Sequence, residues 1–288
     1  MARGLFSWRR DPRTAAEWGG FSGQALNLVA QRSAVAAFLV FCLLASSVYV
    51  LNDIIDREAD RRHPTKRSRP IASGAVGVGG AVVLALLLIV VGVAAAWAVG
   101  TKLLLCAVTY LLLNVVYSVW IKHVVILDVF SIAAFFVLRL VAGAAAVEVR
   151  PSVWLVLCGG LLALYLGFAK RRHELVLLGG GSADHRAVLS QYSTGFLDQL
   201  SVVLLSVTIV SYIMYTLESE TARQTGGEAL SYSTVFVLYG VLRYLYLVHR
   251  HLDGNPTETL LTDKSLLLAV TLWVVYCGVV IYRAVPIP

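Results

Sequence analysis

Eight long apolar runs divide the chain, at roughly 34–52, 80–99, 102–120, 126–147, 152–169, 198–217, 232–249 and 265–283. Each is close to the roughly 20 residues that a helix needs to cross a bilayer. None alternates polar and apolar positions as a barrel strand does. Helices, which bond their own backbone internally, are therefore the predicted elements. A weaker stretch at 15–31 carries Gln24, Asn27 and Gln31, so it is expected to cross or re-enter only if packed against other helices.

The polar residues between the runs predict an orientation. Alternate loops hold thirteen Lys or Arg, namely Arg57, Arg61, Arg62, Lys66, Arg67, Arg69, Lys122, Lys170, Arg171, Arg172, Arg186, Arg250 and Lys264. The intervening loops hold four: Lys102, Arg150, Arg223 and Arg283. The richer set is assigned to the cytoplasm by the positive-inside rule. Eight spans would leave Arg3, Arg9, Arg10 and Arg13 outside, whereas a ninth near 15–31 would return them to the cytoplasm. Nine spans are therefore favoured. The expected organisation is a divergent N-terminal segment 1–33 with a possible first helix, a transmembrane domain 34–283 and a tail 284–288.

Composition agrees with this pattern. The 288 residues are 58% hydrophobic and only 14% charged, with mean hydropathy +0.77; soluble domains carry roughly 25% charged residues. The net charge of +7 could suggest nucleic acid, but it sits in short loops between spans, so no nucleic-acid partner is expected. Cys42, Cys106, Cys158 and Cys277 each stand alone in an apolar run and are expected to be small buried hydrophobes. The arginine-bearing N-terminus shows no apolar core before a small-residue cleavage site, so no secretory signal peptide is expected.

The chemistry concentrates in two loops. In Asn52-Asp53-Ile54-Ile55-Asp56-Arg57-Glu58-Ala59-Asp60, the residues Asn52, Asp56 and Asp60 recur at helical spacing and share one face, with Asp53 in reach. Carboxylates crowded at a membrane boundary repel one another unless a cation intervenes. Hard oxygen donors of this kind suit Mg²⁺, which takes one or two carboxylates plus substrate phosphates. The bland alternative is a solvated helix end paired with Arg57, Arg61 and Arg62. Next comes Arg61-Arg62-His63-Pro64-Thr65-Lys66-Arg67-Ser68-Arg69-Pro70, where Lys66, Arg67 and Arg69 suit phosphate oxygens. His63 is read as a polar loop residue.

Asn52-Asp53-x-x-Asp56-x-x-x-Asp60, followed by His63-Pro64-Thr65-Lys66-Arg67-x-Arg69-Pro70-Ile71-Ala72-Ser73-Gly74, resembles the first aspartate motif of the UbiA prenyltransferase superfamily. That resemblance implies an all-α bundle of nine transmembrane helices around a cavity opening to the cytoplasm, with Mg²⁺ bridging aspartates and a diphosphate. Ordinary members carry a second aspartate motif. This chain instead has Lys170-Arg171-Arg172-His173-Glu174-Leu175, which is similar to the decaprenyl-phosphate phosphoribosyltransferase branch. Further similarity runs from Tyr192 to Gln199, over Arg243 to Arg250, and from Pro256 through Asp263-Lys264. Residues 1–33 lack that branch's opening Arg-Pro, Gln-Trp and Lys-Asn pattern.

The resemblance implies a multi-pass enzyme of the plasma membrane. It would join phosphoribosyl diphosphate to a polyprenyl phosphate, releasing diphosphate for a cell-wall or other glycolipid pathway. In this scheme Asn52, Asp53, Asp56 and Asp60 are metal ligands. Asp56, Asp60, Lys170 and Glu174 form the catalytic group. The expected substrate contacts are Lys66, Arg67, Arg69, Tyr117, Lys122, Arg139, Tyr165, Arg171 and Tyr192. Arg139 stands out as an intramembrane cation, which could equally pair with Asp128 or snorkel. Tyr117 and Tyr165 could equally belong to an interfacial aromatic belt. The rival functions are an ordinary prenyltransferase moving an isoprenyl chain, and a transporter, whose polar residues would sit nearer the midplane.

Overall fold

The computed structural model describes residues 28–62, 66–178, 189–218, 228–250 and 262–284. Among the described residues, eight helices are long and apolar enough to cross a membrane. They are α1 (Leu28–Ile55), α4 (Val78–Val99), α5 (Thr101–Val119), α6 (Leu127–Ala146), α7 (Val153–Leu178), α8 (Thr194–Glu218), α10 (Thr234–Arg250) and α11 (Lys264–Ala284), with short α2 (Arg57–Arg62), α3 (Pro70–Ser73) and α9 (Glu228–Ser231) between them. Among the described residues there is no strand. The expected all-α, multi-span architecture therefore holds. The possible ninth span falls mostly outside the described residues; its last four positions, 28–31, open α1 instead.

Helix contacts are set by small residues. The buried face of α4 is Ala81, Ala85, Gly92 and Ala96, which lets α1 lie close along it. A Cβ on Gly92 would sit 2.7 Å from Leu44 Cδ2. Likewise α7 meets α6 through Gly160 and Gly167, where a Cβ would stand 3.2 Å from Val137 Cγ2 and 2.5 Å from Val129 Cγ1. In lipid no hydrophobic force draws helices together, so close backbone approach supplies the dispersion contact. Bulky side chains face outward instead: Trp97, Val119 and Val153 are more than 70% exposed, as lipid-facing residues should be.

Three core clusters result among the described residues. One joins Phe41, Leu44, Leu103, Tyr110 and Phe135 from α1, α5 and α6. A second centres on Val129, Phe168, Tyr192 and Leu197, and a third on Tyr165, Tyr244, Leu205 and Leu266. The cysteines correct one expectation. Cys42 is exposed and the other three are half-buried, with Cys106 packed against the edge of a core.

Candidate active site

α1 does not stop at the edge of its apolar run. Asp56 N–H donates to Asn52 O and Asp60 N–H to Asp56 O, both at 2.8 Å, so the helical register passes through the break into α2. The i, i+4, i+8 spacing of Asn52, Asp56 and Asp60 is thereby kept on one face.

Residues 66–74 fold back onto that face. A turn of 3₁₀ helix at Lys66–Ser68 leads into α3, with Pro70 at its first position and Gly74 ending it at φ 86°, a left-handed value that favours glycine. The residue before a proline is pushed to extended backbone, and Arg69 adopts φ −60°, ψ 143°. From there its Nη1 donates to Asp53 Oδ1 at 2.8 Å and to Asp60 Oδ2 at 2.9 Å. One guanidinium nitrogen thus bridges two aspartates. Arg61 Nε holds Ala72 O at 2.9 Å and fixes the fold-back.

Further donors come from the last turn of α5 and from the α5–α6 connection. Ser118 Oγ donates to Asn52 Oδ1 at 3.0 Å, and Lys122 Nζ to Asp56 Oδ1 at 3.3 Å. At the far end of this connection Asp128, wholly buried, accepts from Arg171 Nε at 3.0 Å. Arg171 is 3% exposed and also reaches Glu174 Oε2 at 2.9 Å through Nη1. Tyr192 Oη accepts from Ile126 N–H at 2.6 Å and donates to Asp128 Oδ1 at 3.3 Å. Burial pushes the Tyr192 hydroxyl up to about 12, so it keeps its proton and can do both. Arg172 pairs with Asp198.

The structure thus brings Asn52, Asp53, Asp56, Asp60, Arg69 and Lys122 together. It also gathers Arg171, Glu174 and Tyr192, while the Tyr117 ring sets its edge to Phe135 at 5.7 Å. Among the described residues no ion pair joins the two groups directly; the segment 118–128 links them. Lys66 and Arg67 are exposed beside the first group and Lys170 is exposed at the second.

Three expected contacts stand differently. Arg171 is committed to two carboxylates inside the protein. Tyr165 is 1% exposed, its ring 5.7 Å from that of Tyr244, so it lies in a core and not in an interfacial belt. Arg139 lies mid-helix, its Nε bonded to Phe135 O at 3.1 Å and its guanidinium 5.8 Å from the Tyr110 ring. It borders a cavity of about 280 Å³ with Ala37, Phe38, Phe41 and Gly143, away from the acids. Its expected partner Asp128 is taken by Arg171. His63 and Arg186 fall outside the described residues.

Asp128, Ser118 and Asp198 were not anticipated as site residues. Asp128 had a signal, being a lone acid at the start of an apolar run, where the positive end of a helix favours it. Among the described residues no three acid, His or Cys side chains close on one point to hold an ion alone. The donor set at Asn52–Asp60 nevertheless fits Mg²⁺, which completes its shell with phosphate and water oxygens. Arg69 and Lys122 occupy the same oxygens that a cation would.

These features define an all-helical, multi-span membrane protein that collects its carboxylates and counter-cations at one end of the bundle. Residues 17–174 match the UbiA prenyltransferase family, and the chain belongs to that family. It is 32% identical over 252 residues to the decaprenyl-phosphate phosphoribosyltransferase of Mycolicibacterium smegmatis, covering 85% of this chain and 79% of that one. The protein of the same name from Corynebacterium glutamicum is also 32% identical, over 87% of this chain and 76% of its own. A UbiA homolog from Archaeoglobus fulgidus bound to GPP and Mg²⁺ shares the fold, with TM-score 0.64 at 17% identity over 88% of this chain and 86% of that one.

Proposed function

We propose that this protein transfers a phosphoribosyl group from phosphoribosyl diphosphate to a polyprenyl phosphate. The observation that carries this is the contrast between the two polar groups. The first keeps four oxygen-bearing side chains on one face, Asn52, Asp53, Asp56 and Asp60. The second has a single acid in the 170–174 segment, Glu174, already bound by Arg171. A prenyl diphosphate site needs acids in both halves, whereas a donor with an additional 5-phosphate needs cations in the second. The names of the curated relatives support the same assignment.

In this scheme Asn52 or Asp53, with Asp56 and Asp60, hold Mg²⁺ on the donor's diphosphate. When bound, that ion neutralises charge growing on the departing group. Arg69 and Lys122 exchange their carboxylate partners for phosphate oxygens, with Lys66 and Arg67 beside them. Lys170 faces the donor's 5-phosphate or the acceptor's phosphate, and Glu174 the ribose hydroxyls. An oxygen of the lipid phosphate attacks the anomeric carbon as the bond from that carbon to the diphosphate oxygen breaks, with inversion. A phosphate monoester is already nucleophilic at neutral pH, so no strong general base is needed. The excess of Lys and Arg at this end supports a site facing the cytoplasm at the plasma membrane.

The test is direct. Purified protein is given labelled phosphoribosyl diphosphate or labelled isoprenyl diphosphate, each with polyprenyl phosphate or an aromatic acceptor. Label from the sugar donor should enter the lipid fraction. Label entering only from the isoprenyl donor would overturn the assignment in favour of ordinary prenyl transfer.

A further inference from the structure

We propose that Tyr192 is a positioning residue: it clamps a strained turn at Ile126 and thereby holds Lys122 at the diphosphate end of the site. Ile126 has φ 70° and ψ −49°, and Leu127 N–H donates to Val125 O at 2.8 Å. Together these make a γ-turn of the rarer, strained hand. A β-branched residue at positive φ is a genuine outlier and persists only where surrounding contacts enforce it.

The enforcing contacts come from outside the turn. Ile126 N–H donates to Tyr192 Oη at 2.6 Å, and that hydroxyl donates onward to Asp128 Oδ1. Asp128 is anchored by Arg171 and by its own N–H on Val124 O at 3.1 Å. The Tyr192 ring stacks on Phe196 and sets its edge to Phe168. With one bond accepted and one donated, the hydroxyl is committed to protein.

The turn is mechanically short of the site. Val124 N–H bonds Ile121 O at 2.9 Å and His123 N–H bonds Trp120 O at 3.1 Å. Lys122 therefore sits in a hydrogen-bonded 3₁₀ turn directly joined to Ile126, and its Nζ meets Asp56. Relaxing Ile126 to negative φ would redirect the chain entering Leu127 and displace Lys122 from Asp56. Tyr192, which the sequence suggests as a substrate contact, acts at a distance through that lysine.

This rests on the diphosphate reading of the first polar group, so the probe is inorganic diphosphate with Mg²⁺, titrated calorimetrically into the purified full chain. Tyr192→Phe keeps the ring packing and removes only the hydroxyl. It should bind Mg-diphosphate about tenfold more weakly and unfold at nearly the wild-type temperature. Lys122→Ala should lose a similar factor, and Lys122→Ala/Tyr192→Phe no more than Lys122→Ala alone. Ile126→Gly/Tyr192→Phe, in which the turn costs nothing, should recover the wild-type affinity; it also serves if Tyr192→Phe folds poorly.

Wild-type affinity in Tyr192→Phe, losses that multiply in the double variant with Lys122→Ala, or no recovery with Ile126→Gly would each overturn the proposal. Because the probe is common to every diphosphate donor, failure of sugar transfer with these binding results intact would refute the proposed function and leave the positioning role standing.

Discussion

Arg171 and Asp128 form an ion pair removed from solvent, with side chains 3% and 0% exposed. Asp128→Asn leaves the guanidinium buried with Glu174 as its remaining acid, and Glu174 is 30% exposed. Removing one partner of a buried pair costs about 3–5 kcal/mol, and the surviving contact with Glu174 sets the expectation at the lower end. At about 2–4 °C per kcal/mol for a chain of this size, the loss is about 6–12 °C in Tm. Arg171→Met should cost a similar amount, since it strands Asp128 with only the Tyr192 hydroxyl. The decisive variant is Asp128→Leu/Arg171→Met, which removes both charges; apolar replacement of a buried pair is often neutral, so its Tm should lie close to wild type. Scanning fluorimetry of the detergent-solubilised protein measures all three, and the cycle yields the coupling. Single-variant shifts under about 2 °C, or a double-variant loss equal to the two combined, would refute the reasoning.

Asp56→Ala and Asp60→Ala should each abolish Mg²⁺-dependent transfer while expression is retained; near-normal turnover in either would remove the metal role. Gly167→Ala should lower Tm, because the new methyl meets Val129 Cγ1 and overpacking costs about 1–3 kcal/mol; adding Val129→Ala should restore most of it. The hydrogen bond from Arg243 holds the Asp263 carboxyl below its ordinary value of 3.8. A depressed folded value contributes stability present above the unfolded value and lost as pH falls through the folded one. The Tm gap between wild type and Asp263→Asn should therefore close as pH drops below 3.8, and a gap independent of pH would contradict that linkage.

The spans and the acid ladder were legible because both follow a period the chain must obey. Hydropathy located every described span, yet it ended the first at 52 and the fifth at 169, whereas the helices run on to Ile55 and Leu178. A helix does not end where lipid ends; Asn52 and Lys170 merely leave the apolar slab. The partner of Asp128 was not legible. Arg139 was the candidate because both lie in one apolar run, but eleven positions put them about three turns apart along α6. Arg171 is 43 residues distant in sequence, and the close approach of α7 to α6 at Gly160 and Gly167 brings it in. The turn at Ile126 was hidden for the opposite reason. Local propensity argues against an isoleucine at positive φ, and what overrides it is a hydroxyl 66 residues later.

The run Lys170-Arg171-Arg172 looks like a block of three cations, but two of them are already discharged against neighbouring carboxylates. On the other side, Arg69 and Lys122 are similarly neutralised by the aspartates they touch. In the proposed reaction an incoming polyphosphate would meet paired charges at contact distance, with the exposed Lys66, Arg67 and Lys170 left to draw it in. It would gain its hold by swapping partners, taking Arg69 and Lys122 from the aspartates proposed to hold the metal.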